Sequence, residues 1–266
     1  MASALLEIMI EAARIAGERL RQDFATAAHV EVTFKRPADP VSAIDLRAEA
    51  TLQRLLHQAR PAYGFLGEEG GAVAGEDPEH LWVVDPLDGT VNFLRGVPLF
   101  AVNVALARAG EVVAGVTYAP MSGEMFWAEA GCGAFLNGEP IRVSQVARLE
   151  DAVVAIGIPF SSKPRHAQFA HEIAQLTPRV TNVRRLGAGA LDTAYVACGR
   201  FDAYWEQSVA AWDMAAGAVL VREAGGVVTD TLGGPLDLMG GACLNATPGI
   251  HAALLEVLRP IEEAQP

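Results

Sequence analysis

Four carboxylates, each beside an apolar stretch, are the residues whose types and spacing could do chemistry. The run Trp82-Val83-Val84-Asp85-Pro86-Leu87-Asp88-Gly89-Thr90 sets two aspartates three residues apart. Pro86 stiffens the turn and removes a backbone donor, while Gly89 can take a positive φ or admit another backbone closely. Thr90 offers a hydroxyl where Val91-Asn92-Phe93-Leu94 could open a helix, whose free N–H groups and positive dipole end suit a phosphate. Gly67-Glu68-Glu69-Gly70 likewise follows a short apolar strand, and Ala211-Trp212-Asp213-Met214 puts an aspartate at the head of a helix. Taken singly, each has a plainer reading. Asp-Pro-x-Asp-Gly is an ordinary turn, a Glu-Glu pair is a solvated loop, and Asp213 is a helix N-cap with a second oxygen to spare. Taken together, Glu68, Asp85, Asp88 and Asp213 form an all-oxygen donor set suited to Mg2+ or Mn2+ and not to zinc. Two such ions about 3.5–4 Å apart can activate a water and stabilise a leaving alkoxide, which is the chemistry of phosphate-ester hydrolysis. Four converging acids repel one another, so their convergence would require a cation.

Positioning those residues needs a scaffold, and the hydrophobic pattern supplies one. Residues 3–25 carry a helical stripe of Leu5, Ile8, Met9, Ala12, Ile15, Ala16 and Leu20 opposite Glu7, Glu11, Arg14, Glu18 and Arg21. Residues 26–40 alternate weakly and meet Pro37 and Pro40, as an extended segment or loop. A second helix is expected over 42–60, with Ser42 as N-cap and Asp45 in its first turn. Short strands follow at 64–67 and 81–84, separated by a glycine- and acid-containing loop at 71–80. Strands at 100–108, 111–119 and 124–129 complete an antiparallel-looking sheet. The second half alternates: strand 153–158, helix 164–176, strand 180–185, helix 189–199, strand 201–205, helix 212–224, strands 227–229 and 243–245, helix 250–259. The whole chain, 1–266, reads as one unit with a soft internal boundary near 145–150.

Composition narrows the class. The chain has 266 residues, 51% hydrophobic and 20% charged, which excludes a disordered or collagen-like protein. A chain this long buries roughly 70–75% of its unfolded surface and needs no covalent staples. Its three cysteines, Cys132, Cys198 and Cys243, have no disulfide or zinc spacing, so a reducing cytoplasm is the expected compartment. A net charge of −12 disfavours direct nucleic-acid or anionic-membrane binding. No apolar run reaches the length of a membrane span, and the N-terminus lacks a signal-peptide pattern. His57, His80, His166 and His171 have no motif context, which argues against a histidine-based phosphatase.

The motifs resemble the inositol monophosphatase family of Mg2+-dependent, lithium-sensitive phosphatases. Gly67-Glu68-Glu69, Asp85-Pro86-Leu87-Asp88-Gly89-Thr90 with Asn92-Phe93, and Trp212-Asp213-Met214-Ala215-Ala216-Gly217 running to Glu223-Ala224-Gly225-Gly226 carry the match. Asp39 to Asp45, Gly133-Ala134-Phe135-Leu136-Asn137-Gly138 and Gly233-Gly234-Pro235-Leu236-Asp237 agree in the same order. The resemblance implies the layered α/β/α/β/α sandwich of the inositol monophosphatase and fructose-1,6-bisphosphatase type, assembled as a homodimer. It implies two or three Mg2+ per site, with Mn2+ possible. Glu68, Asp85 and the Leu87 carbonyl would hold the first, Asp85, Asp88 and Asp213 the second, and Glu68 would touch a third. Thr90, backed by Asp45, would orient and help deprotonate the attacking water. The Gly89 and Thr90 amides would hold phosphate oxygens, Glu69 would support Glu68, and Lys35 would lie in a loop over the site.

The same resemblance makes Glu206, in Tyr204-Trp205-Glu206, the candidate reader of substrate hydroxyls, with Gly187-Ala188-Gly189-Ala190 lining the polyol pocket. Ala188 stands where a hydroxyl residue is often found, which loosens strict inositol specificity. The implied reaction is hydrolysis of myo-inositol monophosphate to inositol and phosphate by metal-activated water. Fructose 1,6-bisphosphate, histidinol phosphate and a 3′-phosphoadenosine nucleotide remain alternatives within the same chemistry. The nucleotide would want a stacking aromatic, for which Trp205 is the nearby candidate. A regulatory protein-binding role is the alternative of a different class.

Overall fold

The computed structural model describes residues 2–25, 32–36, 39–159 and 165–259. Helix α1 (Ala4–Phe24) starts where the Ser3 hydroxyl accepts the Leu6 amide at 3.2 Å. It buries Leu6, Met9, Ala12, Ala13, Ala16 and Leu20 along one face. Strands β1 (Val32–Arg36) and β2 (Asp39–Ser42) form an antiparallel hairpin that leads into helix α2 (Ala43–Ala59). Ser42 and Asp45 make a reciprocal capping box at the head of α2.

These two helices cover one face of an eight-stranded sheet. Its strands are β3 (Tyr63–Gly67), β4 (Gly71–Val73), β5 (Asp77–Asp88), β6 (Ala101–Arg108), β7 (Glu111–Ala119), β8 (Glu124–Glu129), β9 (Gly133–Leu136) and β10 (Glu139–Ile141), in the order β10-β9-β8-β7-β6-β5-β3-β4. All neighbours are antiparallel except β3 and β5, which run parallel. Strand alternation splits the side chains between two cores. Trp82, Val84, Val102, Val104 and Leu106 face the first helices, while Val83 and Ala105 face the opposite side.

On that opposite side lie α5 (Gly189–Ala197) and α6 (Ala211–Glu223). Helix α6 is buried nearly all round, from Met214 to Val221, because a second sheet covers its far side. That sheet has β11 (Val153–Ile156), β12 (Asn182–Arg184), β13 (Ala203–Gln207), β14 (Val227–Thr229) and β15 (Ala242–Ala246), ordered β12-β11-β13-β15-β14. Helices α4 (His166–Leu176) and α7 (Pro248–Val257) close the outer face. A short α3 (Thr90–Leu94) follows β5. The result is the expected five-layer α/β/α/β/α sandwich.

Two local expectations change. The 71–80 loop contains β4 and the start of β5. Strand β5 also runs on through Pro86 to Asp88 instead of stopping at Asp85. Between Asp85↔Asn103 and Asp88↔Ala101 the register shifts by one residue, and this bulge tolerates the missing proline donor. Among the described residues no helix is long and apolar enough to cross a membrane.

Candidate active site

The bulge in β5 explains how one motif supplies two converging carboxylates. Residues three apart on a regular strand point to opposite faces, but one extra residue re-aims the second. Carboxylate oxygens of Asp85, Asp88 and Asp213 all lie within 4.8 Å of one another. Asp85 is 1% exposed and accepts the Leu87 amide at 2.9 Å. Asp88 accepts the Gly189 and Ala190 amides at 3.2 and 2.8 Å, so the head of α5 is tied to the end of β5. Asp213 is not the N-cap of α6 but its third residue, and its carboxylate reaches back to accept the amide of the N-cap residue Ala210 at 3.1 Å.

Three elements thus deliver three acids to one point, and the electrostatics register the crowding. Burial, then the charges of Glu68, Asp213 and Asp88, push the Asp85 carboxyl well above the usual range. Burial, then Asp88, Glu68 and Glu206, do the same to Asp213. Asp88 is pushed up to about 7 by burial, against the Ala190 hydrogen bond and with help from Glu206 and Glu68. Glu68 lies just past β3, where its own amide bonds the Val84 carbonyl at 3.3 Å. Its charge bears on all three aspartates. An all-oxygen set, with Asp85 buried and the others half-buried, whose members repel one another fits a hard divalent cation.

Beside the acids, Thr90 Oγ lies 3.1 Å from both Asp45 Oδ1 and the Leu87 carbonyl oxygen. Asp45 is 1% exposed, and its other oxygen accepts the Ser42 amide at 2.9 Å and the Ser42 hydroxyl at 2.6 Å. The capping box of α2 therefore doubles as the mount for Thr90. Gly89 adopts φ 93°, and a Cβ there would lie 2.9 Å from the Leu99 carbonyl oxygen, so both conformation and space require glycine.

Glu206 is the penultimate residue of β13, on the acid side of the sheet. The Tyr204 hydroxyl donates to it, and its charge reaches Asp88 and Asp213. Gly157 and Gly189 leave it room, since a Cβ at Gly157 would lie 2.1 Å from the Glu206 carboxyl carbon. Lys35 falls at the register shift between Phe34 and Arg36 in β1. The structure describes it through that backbone alone, so its predicted place over the site lies outside the described part of the side chains. Trp205 points away, into the core under α4 and α7, and cannot stack on a bound base. His80 bonds Asp77 at 2.8 Å and stacks on Tyr63, in a structural role.

Several positioning residues escape a motif-based reading. Glu49, 7% exposed on α2, accepts the Glu69 and Gly70 amides at 2.8 and 2.7 Å and so pins the turn that carries Glu68. Its signal was present in the sequence: it follows Asp45 by four residues, two acids on the buried face of one helix. Asn103 donates to the Trp212 carbonyl at 2.7 Å and accepts from Thr117 at 2.6 Å, fixing the start of α6 against β6. Asn92 bridges the Leu99 and Leu186 carbonyls at 2.7 and 2.8 Å. No local pattern marks Asn103; Asn92 stands in the motif after Thr90, which does not show what it bridges.

Residues 1–263 match the model of the inositol monophosphatase family. The inositol-1-monophosphatase of Caulobacter vibrioides is 48% identical over 254 residues, covering 94% of this chain and 99% of its own. A protein named Nus factor SuhB from Pseudomonas aeruginosa is 40% identical over 260 residues, covering 96% of each. The crystal structure of the extragenic suppressor protein SuhB of Bartonella henselae superimposes with a TM-score of 0.94 at 45% identity, covering 97% of this chain and 99% of that one.

Proposed function

Because the chain belongs to the inositol monophosphatase family, a family of phosphatases, we propose that it hydrolyses myo-inositol monophosphate to inositol and phosphate at the acidic site closing β5. The observation that carries this reading is the meeting of Asp85, Asp88 and Asp213 within 4.8 Å at a strand bulge. With Glu68 and the Leu87 carbonyl, they would hold two Mg2+, with Glu68 reaching a third; Mn2+ satisfies the same ligands. Bound there, the cations supply Lewis acidity toward phosphoryl oxygens and a water deprotonated near neutral pH.

The chain's own residues do the rest by placement. Thr90 donates its proton to Asp45, which Ser42 holds still, and so turns its lone pairs toward the attacking water. The Gly89 and Thr90 amides, at the start of α3, would bind phosphate oxygens. Asp88 keeps Gly189 and the head of α5 against the site. Glu206, whose carboxylate fits in the room that Gly157 and Gly189 leave for it, would accept hydroxyl protons from the polyol. Ala188 is buried and contributes no hydroxyl, which widens the range of polyols accepted. Other small esters, fructose 1,6-bisphosphate and histidinol phosphate among them, fit the same chemistry; the orientation of Trp205 disfavours a nucleotide. We place the enzyme in the cytoplasm, from its scattered cysteines, and as a homodimer, by the same family reasoning.

The test is phosphate release from inositol 1-phosphate, fructose 1,6-bisphosphate, histidinol phosphate, a 3′-phosphoadenosine nucleotide and 2′-AMP. Preference for inositol 1-phosphate, reduced by Glu206→Ala, supports the reading. Release mainly from another ester retains the acid site and removes Glu206 as the inositol reader. A regulatory protein-binding role is the second reading, favoured by the likeness to a Nus factor SuhB. Protein capture that persists in Asp88→Asn while hydrolysis stops would establish it as separate.

A further inference from the structure

We propose that Glu172, on the outer helix α4, is a positioning residue that sets polyol selectivity by clamping β13 from behind Glu206; this rests on the role given to Glu206 above. Alternation along β13 sends Tyr204 and Glu206 toward the acid site and Trp205 and Gln207 toward α4. Trp205 and Gln207 flank Glu206 in sequence, and both end on one carboxylate. Glu172 Oε2 accepts the Trp205 indole N–H at 3.1 Å, and Oε1 accepts the Gln207 side-chain amide. A third donor, Gln168 from the same helix, reaches Oε1 at 2.9 Å.

Glu172 is completely buried, and an acid in that setting is held only where every lone pair has work. A hydrophobic residue would pack α4 on β13 at least as well, so packing alone does not call for a carboxylate here. What the carboxylate adds is register. It fixes residues 205 and 207 together, and the backbone between them is the backbone of Glu206. The clamp extends outward through Arg165, whose guanidinium donates to the Gln207 oxygen at 2.7 Å. On the acid side Glu206 has little slack, since Gly157 is within a Cβ's reach of its carboxyl and Tyr204 bonds it. A small shift of β13 therefore displaces the carboxylate relative to the ring hydroxyls without moving Asp85, Asp88 or Asp213, which ride on β5 and α6.

The experiment compares kcat/KM for inositol 1-phosphate with that for phenyl phosphate, an ester without ring hydroxyls. Wild type, Glu172→Gln, Glu206→Ala and the double variant are measured. The expected result is that Glu172→Gln lowers the inositol-to-phenyl ratio about fivefold through KM for the inositol ester, and lowers it less than twofold further in the Glu206→Ala background. Equal loss on both esters, an unchanged ratio, or full additivity with a selective Glu206→Ala would overturn the clamp and leave the Glu206 assignment standing. An unchanged ratio in Glu206→Ala would overturn the assignment and the clamp with it. Gln207→Ala, at a partly exposed position, removes half the clamp; it should lower the ratio about twofold and carries the test if Glu172→Gln does not fold.

Discussion

Removing divalent cations should make the protein lose stability as pH rises from 5 to 8, the reverse of the usual carboxylate behaviour. Asp88 has a folded-state pKa of about 7 in the metal-free protein, against about 3.9 for an unstructured aspartate. Between those values the folded chain keeps a proton that the unfolded chain has released, so unfolding is favoured progressively as pH climbs. From pH 5 up to about 7, the two units of that difference still to be crossed correspond to about 3 kcal/mol from Asp88. Asp85 and Asp213 are displaced in the same direction and add to the loss. For a chain this long, about 2 °C of Tm per kcal/mol gives a fall of roughly 6 °C. Differential scanning fluorimetry in chelator across pH 5 to 8 reads this directly. In Mg2+ the slope should reverse, because the loaded site needs its carboxylates ionised and acid competes with the ion. Asp88→Asn in chelator should make the fall shallower, leaving the part that Asp85 and Asp213 contribute. A Tm in chelator that is level or rises between pH 5 and 7 would refute the crowding of these acids.

Three substitutions test the mounting of the site. Gly89→Ala puts a Cβ 2.9 Å from the Leu99 carbonyl at φ 93° and should lower stability by about 1–3 kcal/mol, read as Tm, with hydrolysis lost alongside. Glu49→Ala leaves the Glu69 and Gly70 amides without their acceptor; it should cost about 1–3 kcal/mol and weaken Mg2+ binding in calorimetry, whereas unchanged affinity would detach Glu49 from the Glu68 turn. Thr90→Val keeps the shape and removes the hydroxyl between Asp45 and Leu87, so kcat should fall about 10²- to 10⁴-fold with Mg2+ affinity retained.

Much of this site is legible from one dimension because its parts are local. Asp85, Asp88, Gly89 and Thr90 are near neighbours in sequence, and the capping box of Ser42 and Asp45 is read from four consecutive residues. The helical stripe of α1 and the turn-bounded apolar runs of β6 and β7 are enough to name their elements. What is not legible depends on contacts between distant segments. The β5 bulge exists only against β6, and the buried bonds of Asn103 and Glu172 span 109 and 33 residues. Strands β4 and β10 have three residues each, too short for alternation to register, and their glycine or proline content reads as loop. The hydroxyl-binding face of β13 is marked by Glu206, while the residues that hold it face the other way.

The central claim is that the acids joined at the β5 bulge hold the ions that hydrolysis requires. Phosphate release from inositol 1-phosphate in Mg2+, in chelator, and in Mg2+ for Asp85→Asn tests it most directly, with Mg2+ binding measured on the same samples. The account predicts turnover in Mg2+, none in chelator, restoration on adding the ion back, and loss of both binding and turnover by orders of magnitude in a folded Asp85→Asn. Turnover that persists in chelator, or in Asp85→Asn, would contradict it.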